Sequence, residues 1–147
     1  MYQFVIPIHH VNWSTRSVLE GISQKYKPKQ IYVVTSDHEI KTFKDKSNSW
    51  DIGNLTLLDE DIFFSNKYSL TKKDIVSQIT QNKPNYSPGW LYQQIIKLGA
   101  SDVIDELEDV FLVWDADLLP VNHGLYLMKK RKSLLYYRIN HMETRIF

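Results

Sequence analysis

Asp115 and Asp117 are two carboxylates one residue apart, and they end the short apolar run Val110-Phe111-Leu112-Val113-Trp114. Paired hard oxygen donors suit Mg²⁺ or Mn²⁺, and a divalent ion held there would clamp a diphosphate. The structural alternative for such a pair is a helix cap or a solvated turn. Just upstream, Pro88-Gly89-Trp90-Leu91-Tyr92-Gln93-Gln94-Ile95-Ile96-Lys97-Leu98 supplies donors of another kind. Gln93, Gln94 and Lys97 carry groups that hydrogen-bond phosphate or sugar oxygens, or that tie down neighbouring backbone. His9 and His10 invite a metal reading, but consecutive histidines at a strand end do not both reach one ion, and no third ligand lies near them in sequence. One of the two is expected against a nucleobase and the other in solvent.

Elements must position these groups. The run before Asp115 has no polar alternation, as in central strands of parallel sheets that are buried on both faces. Ligands of open α/β sheets bind at the carboxyl ends of strands, so Asp115 and Asp117 stand where a ligand is expected, and strand alternation puts both on one side of the chain. Leu91, Ile95 and Leu98 recur at helical spacing and predict an amphipathic helix opened by Pro-Gly, with Gln93, Gln94 and Lys97 in the other positions. Upstream, residues 4–8 read as a first strand, and Val18, Leu19, Ile22 and Tyr26 mark a helix capped near Asn12 or Ser14. Residues 30–35 read as a second strand, 37–53 as a short helix plus loop, and 55–58 as a third strand. Ile75, Val76 and Ile79 mark another helix, ending before Asn82-Lys83-Pro84. This alternation predicts an α/β fold, a mostly parallel sheet with helices on both faces. The loop Ile8-His9-His10-Val11-Asn12 and the strand end Thr35-Ser36-Asp37 then face the crevice that holds Asp115. Trp13, Trp50, Trp90 and Trp114 are expected mostly in the core, with Trp90 packing its helix against the sheet.

A chain of 147 residues is one domain of ordinary size and can bury a core. Its net charge of +1 leaves no global footprint for nucleic acid. The basic run Lys129-Lys130-Arg131-Lys132 reads as a solvated turn before a strand, with contact to phosphate or an anionic membrane as the alternative. Cysteine is absent, which excludes disulfides and thiolate chemistry and fits a reducing compartment. The first residues lack a basic leader and are broken by Pro7, and no apolar run approaches the roughly 20 residues that span a bilayer. A cytoplasmic protein is expected. No Gly-x-Gly-x-x-Gly and no Walker lysine loop is present, against dinucleotide and ATPase readings.

Taken together, Gly-Trp-Leu-Tyr-Gln-Gln-Ile-Ile-Lys-Leu, then Phe-Leu-Val-Trp-Asp-Ala-Asp, then Leu119-Pro120-Val121 is similar to a bacterial-type GT-A glycosyltransferase family (DUF6492-like). Its members resemble one another in a Gly-Trp-aromatic-Gln-Gln-Leu-Leu-Lys-Leu helix followed by a Leu-Val-Leu-Asp-Ala-Asp strand. Leu134-Leu135-Tyr136-Tyr137 and His141-Met142-Glu143 also look like the family's next strand and its His-Glu segment. The resemblance is strongest from Pro88 to Phe147. It implies a Rossmann-like GT-A fold over residues 1–147, forming the nucleotide-sugar-binding part, with an acceptor half expected beyond Phe147. It also implies a nucleoside cradled by the first loop and the second-strand end, at His9 and Asp37. A UDP- or GDP-type sugar donor and a saccharide or glycan acceptor follow from it. Mn²⁺ or Mg²⁺ would be held by Asp117, with Asp115 bonded through water or to the ribose, and Gln93, Gln94 and Lys97 would bind substrate. His141 and Glu143 are the candidates for a base that deprotonates the acceptor. Two alternatives stand beside this reading. One is a non-catalytic remnant that binds nucleotide, and the other is a phosphatase of the haloacid-dehalogenase type, in which the Asp-x-Asp strand comes near the amino end.

Overall fold

The computed structural model describes residues 1–120 and, as backbone only, the strands 125–129 and 137–139. The strands are β1 (Gln3–Pro7), β2 (Gln30–Thr35), β3 (Leu55–Asp59), β4 (Val110–Val113), β5 (Leu125–Lys129) and β6 (Tyr137–Ile139). The helices are α1 (Trp13–Tyr26), α2 (Asp37–Ser47), α3 (Ser65–Tyr68), α4 (Lys72–Asn82) and α5 (Pro88–Val103). The strands form one sheet in the order β3-β2-β1-β4-β5-β6. The first four are parallel, and β5 and β6 add to the β4 side antiparallel. The expected α/β fold with a mostly parallel sheet is therefore present. Strand β5 and the short helix α3 were not foreseen from sequence. Of the expected later strand, Tyr137 opens β6, and residues 134–136 lie outside the described residues. No helix among the described residues is long and apolar enough to cross a membrane.

Strand alternation gives each face of the sheet its own core. Val5, Tyr32, Val34 and Phe111 point to one face and are covered by Ile79 of α4 and by Tyr92, Ile96 and Ala100 of α5. Phe4, Ile6, Ile31, Val33 and Leu112 point to the other and meet Val18, Leu19 and Ile22 of α1 and Phe43 of α2. Helix α1 starts where a cap permits: Asn12 Oδ1 accepts from Ser14 N at 3.0 Å and Thr15 N at 3.3 Å. The buried Tyr92 donates its hydroxyl to the Glu60 carbonyl at 2.5 Å, which satisfies the one polar atom α5 brings into this core.

Two expectations about α5 are corrected. Its buried face runs through Tyr92, Ile96 and Ala100, while Leu91 and Ile95 are only partly buried and Leu98 is exposed. The apolar spacing was real but marked the flank of the helix, because Tyr92 and Ala100 carry more of the contact than a hydrophobic count suggests. Nor does Trp90 pack the helix against the sheet, since it is 54% exposed. Among the other tryptophans, Trp114 is buried between Phe4 and Tyr26, and Trp50 packs edge-on against Phe43. Trp13, at 88%, is almost wholly exposed.

Helix α5 approaches its neighbours at Gly99. A Cβ built there would lie 2.7 Å from Phe64, whose ring is itself hemmed in by Phe63 and Tyr92. Overpacking costs about 1–3 kcal/mol, and the confined ring puts Gly99→Ala toward the upper end. That outweighs the roughly 1 kcal/mol by which alanine exceeds glycine in a helix. Gly89 in the same helix has no atom within 4 Å of its Cβ position. Denaturant melts should therefore show Gly99→Ala less stable than the parent and Gly89→Ala more stable by roughly 0.5–1 kcal/mol. Equal shifts in the two variants would contradict this account of the packing.

Candidate functional site

From β1 the chain moves outward to β2 and β3, then returns to place β4 on the other side of β1. The strand order reverses between β1 and β4, the place where open α/β sheets part at their carboxyl ends. A cleft of about 570 Å³ opens there. Pro7, His9, His10 and Asn12 line it from the end of β1, Asp115, Ala116 and Asp117 from the end of β4, and Trp90, Gln93, Gln94 and Lys97 from α5. Of the residues singled out in the sequence, His9, Gln93, Gln94, Lys97, Asp115 and Asp117 are thus brought together.

The two carboxylates owe their positions to a turn. Strand β4 ends at Val113, and residues 115–118 are closed by Leu118 N donating to the Asp115 carbonyl at 3.1 Å. The buried Trp114 fastens this turn, its indole N–H donating to the Leu118 carbonyl at 2.6 Å. Strand alternation is therefore not what aims Asp115 and Asp117 into one cleft. Within it the pair is asymmetric. Asp115 Oδ1 is ion-paired with Lys97 Nζ, whereas Asp117 is exposed and makes no ion pair or hydrogen bond with a described residue. Lys97 is 7% exposed, so its ammonium is a nearly buried charge, and such a charge requires a partner. The sequence reading put Lys97 among the outer positions of the helix, and no pattern of residue types signalled its burial. Gln93 and Gln94 tie down no described backbone: neither makes a hydrogen bond to a described residue, which leaves both amides for the cleft.

The opposite wall is held by a residue that sequence reasoning missed. Glu39, in the first turn of α2, is 8% exposed, and its Oε2 accepts from Val11 N at 2.9 Å. His10 Nδ1 lies 3.2 Å from Oε1 of the same carboxylate, and the rings of His9 and His10 are 4.0 Å apart. The Val11 N–H, with His10 beside it, holds the Glu39 carboxyl below its ordinary pKa. Asp37, expected at the nucleoside, does not line the cleft: it is exposed and pairs with Lys41 one turn along α2 at 2.9 Å. Thr35 beside it is fully buried and Ser36 caps α2, so this strand end serves the fold. Trp90 was also missed as a site residue. Its spacing from Gln93, Gln94 and Lys97 places all four along one helix face, and that signal was available. His141, Glu143 and the basic residues 130–132 lie outside the described residues.

Among the described residues no cluster of three or more His, Cys, Asp or Glu side chains is arranged to hold a metal ion. A preformed all-protein cage is therefore absent from this part of the chain. The donor set of Asp117 and the second oxygen of Asp115 fits a different kind of metal site. Mg²⁺ commonly binds through one or two carboxylates together with substrate phosphates.

Because the Glu39 pKa is lowered on folding, its contribution is complete above the unfolded value of about 4.3 and is lost as pH falls through the folded value. Glu39→Gln keeps an acceptor for Val11 but not the charge. Urea melts at pH 7 should find it about 1 kcal/mol less stable than the parent, the difference between charged and neutral hydrogen bonds. The gap should close in acid, and a gap independent of pH would mean that the carboxylate charge does not hold the loop.

No curated protein and no solved structure matches the chain. One family model does, that of a family of unknown function, DUF6492, over residues 16–147. The match takes in α1 from Arg16 onward, the α5 stripe and the Asp115–Asp117 turn, and leaves out β1, the His9–His10 loop and the first residues of α1 with their Asn12 cap. The chain belongs to the DUF6492 family.

Proposed function

We propose that this chain binds a nucleotide-diphosphate sugar in the cleft and serves a glycosyltransferase of the GT-A kind. The sugar passes to a saccharide or glycan acceptor. The observation that carries the reading is the convergence, at one sheet-end crevice, of a lysine-paired carboxylate with a second carboxylate and two glutamine amides that have no partners among the described residues. Each has a role in holding such a donor. Asp117 and the second oxygen of Asp115 would hold Mn²⁺ or Mg²⁺, which when bound supplies positive charge to the leaving diphosphate. Lys97 adds a fixed cation beside the same oxygens, and its pairing with Asp115 keeps that charge in place before a ligand enters. The loop of His9 and His10, fastened by Glu39, forms the wall for the nucleoside. The turn fastened by Trp114 keeps the carboxylates from drifting. Little reorganisation is then required on binding, and a preorganised site keeps more of its interaction energy as affinity.

Calorimetry with UDP and GDP, with and without Mn²⁺, tests the reading. Binding is expected in the micromolar range, about −8 kcal/mol, and to need the metal. Asp117→Ala should lose at least tenfold of the metal-dependent affinity. Its stability should stay within about 0.5 kcal/mol of the parent, because the side chain is exposed and bonds to no described group. Unchanged affinity in that variant would remove Asp117 from the metal site. Release of free diphosphate from nucleotide sugars with Mn²⁺ then separates an enzyme from a protein that only binds.

A further inference from the structure

The exposed Trp90 has no part in the core, yet it stands on one of the most firmly held elements of the fold. Its backbone N–H donates to Ser87 Oγ at 3.4 Å in the cap of α5, and its ring lines the cleft at 54% exposure. Gln93 and Gln94 follow at three and four residues, on the same helix face, with amides that bond no described group. Lys97 follows at seven residues, about 10 Å along the axis, and is locked to Asp115. The face therefore runs from a flat apolar ring, through two amides that both donate and accept, to a cation.

We infer that Trp90, Gln93 and Gln94 form a platform for a pyranose ring. A pyranose has an apolar C–H face, which an indole covers, and an edge of hydroxyls, each of which donates and accepts as a glutamine amide does. A phosphate has no apolar face to cover. A nucleobase would stack equally on an indole, but the wall of His9 and His10, whose rings lie against each other at 4.0 Å, already offers it an outer imidazole face. The ring belongs either to the donor's sugar or to a free saccharide. The assignment of the cleft's charged end to diphosphate rests on the function proposed above, whereas the platform itself rests on Trp90 and the glutamines.

The test is calorimetry on the full 147-residue chain, comparing UDP, a panel of UDP-hexoses with GDP-mannose, and free methyl glycosides with UDP and Mn²⁺ present. If the platform holds the donor's sugar, Trp90→Ala keeps UDP affinity within about twofold but weakens the nucleotide sugar at least tenfold. Trp90→Phe recovers most of that loss, and Gln93→Ala with Gln94→Ala act in the same direction. If it holds a free saccharide, only methyl glycoside binding falls. In both cases the indole fluorescence shifts to shorter wavelength with the sugar-bearing ligand alone, and Trp90→Phe abolishes the shift. Equal weakening of UDP and nucleotide sugar by Trp90→Ala would overturn the inference in favour of base stacking, and no change with any ligand would overturn it outright. A parent chain that binds methyl glycoside through Trp90 but no nucleotide would keep the platform and remove the nucleotide reading. Binding of neither would remove both.

Discussion

The parallel pairing of β1 with β4 is the constraint on which the site depends. It sets Phe4 against Leu112 and Val5 against Val113, and it continues as Trp114 N donating to the Val5 carbonyl at 3.1 Å. Two strands more than a hundred residues apart in sequence are thereby fixed at hydrogen-bonding distance, so whatever follows each of them must share one rim. His9 follows β1 and Asp115 follows β4. The alternating cores on the two faces hold that pairing, because moving β4 by one residue would send Leu112 and Phe111 to the wrong faces. Gln3 reinforces the register from below, its amide donating to the Glu106 carbonyl at 3.0 Å and accepting from Glu108 N at 2.6 Å.

Electrostatics then decides how the rim is used. Removing an ammonium from water without a partner would cost several kcal/mol, so Lys97 in its nearly buried place requires Asp115. The consequence falls on the carboxylate pair. One oxygen of Asp115 is committed to the lysine, while Asp117 has no partner among the described residues, and the two members of an apparently symmetric motif become unequal. In the function proposed above, a divalent ion at this site would meet one full carboxylate and part of another, with a fixed positive charge close by. Such an arrangement repels a bare cation more than one whose charge is already balanced by phosphates.

The broad plan of the molecule was legible in the sequence because it rests on periodicity. Strand β2 runs over residues 30–35 as read, Asn12 caps α1, and the strand before Asp115 occupies the sheet's interior. What the sequence could not reveal depends on tertiary geometry. Glu39 lies 28 residues from the Val11 amide it holds, and nothing in its local pattern separates it from Asp37, which points away. Lys97 reads as a surface lysine until β4 brings Asp115 to it. Trp90 was misread for a different reason, since a large apolar residue is assigned to the core by default and the default ignores which stripe of the helix it occupies.

Helix α5 shows why that stripe matters. Tyr92, Ile96 and Ala100 recur every four residues and are buried against the sheet, while Trp90, Gln93, Gln94 and Lys97 occupy the adjoining face and line the cleft. The packed side immobilises the helix, and the cleft side inherits that rigidity without contributing to the core. Burial would favour Trp90 inside, and hydrogen bonding would favour partners for both glutamines, yet the fold provides neither among the described residues. An exposed indole and two amides without described protein partners on an otherwise well-packed helix are places where local consistency is broken, and such breaks gather at functional sites. The same helix thus carries regular core contacts on one face and cleft-lining groups on the next, which is the arrangement expected when a rigid element presents a binding surface.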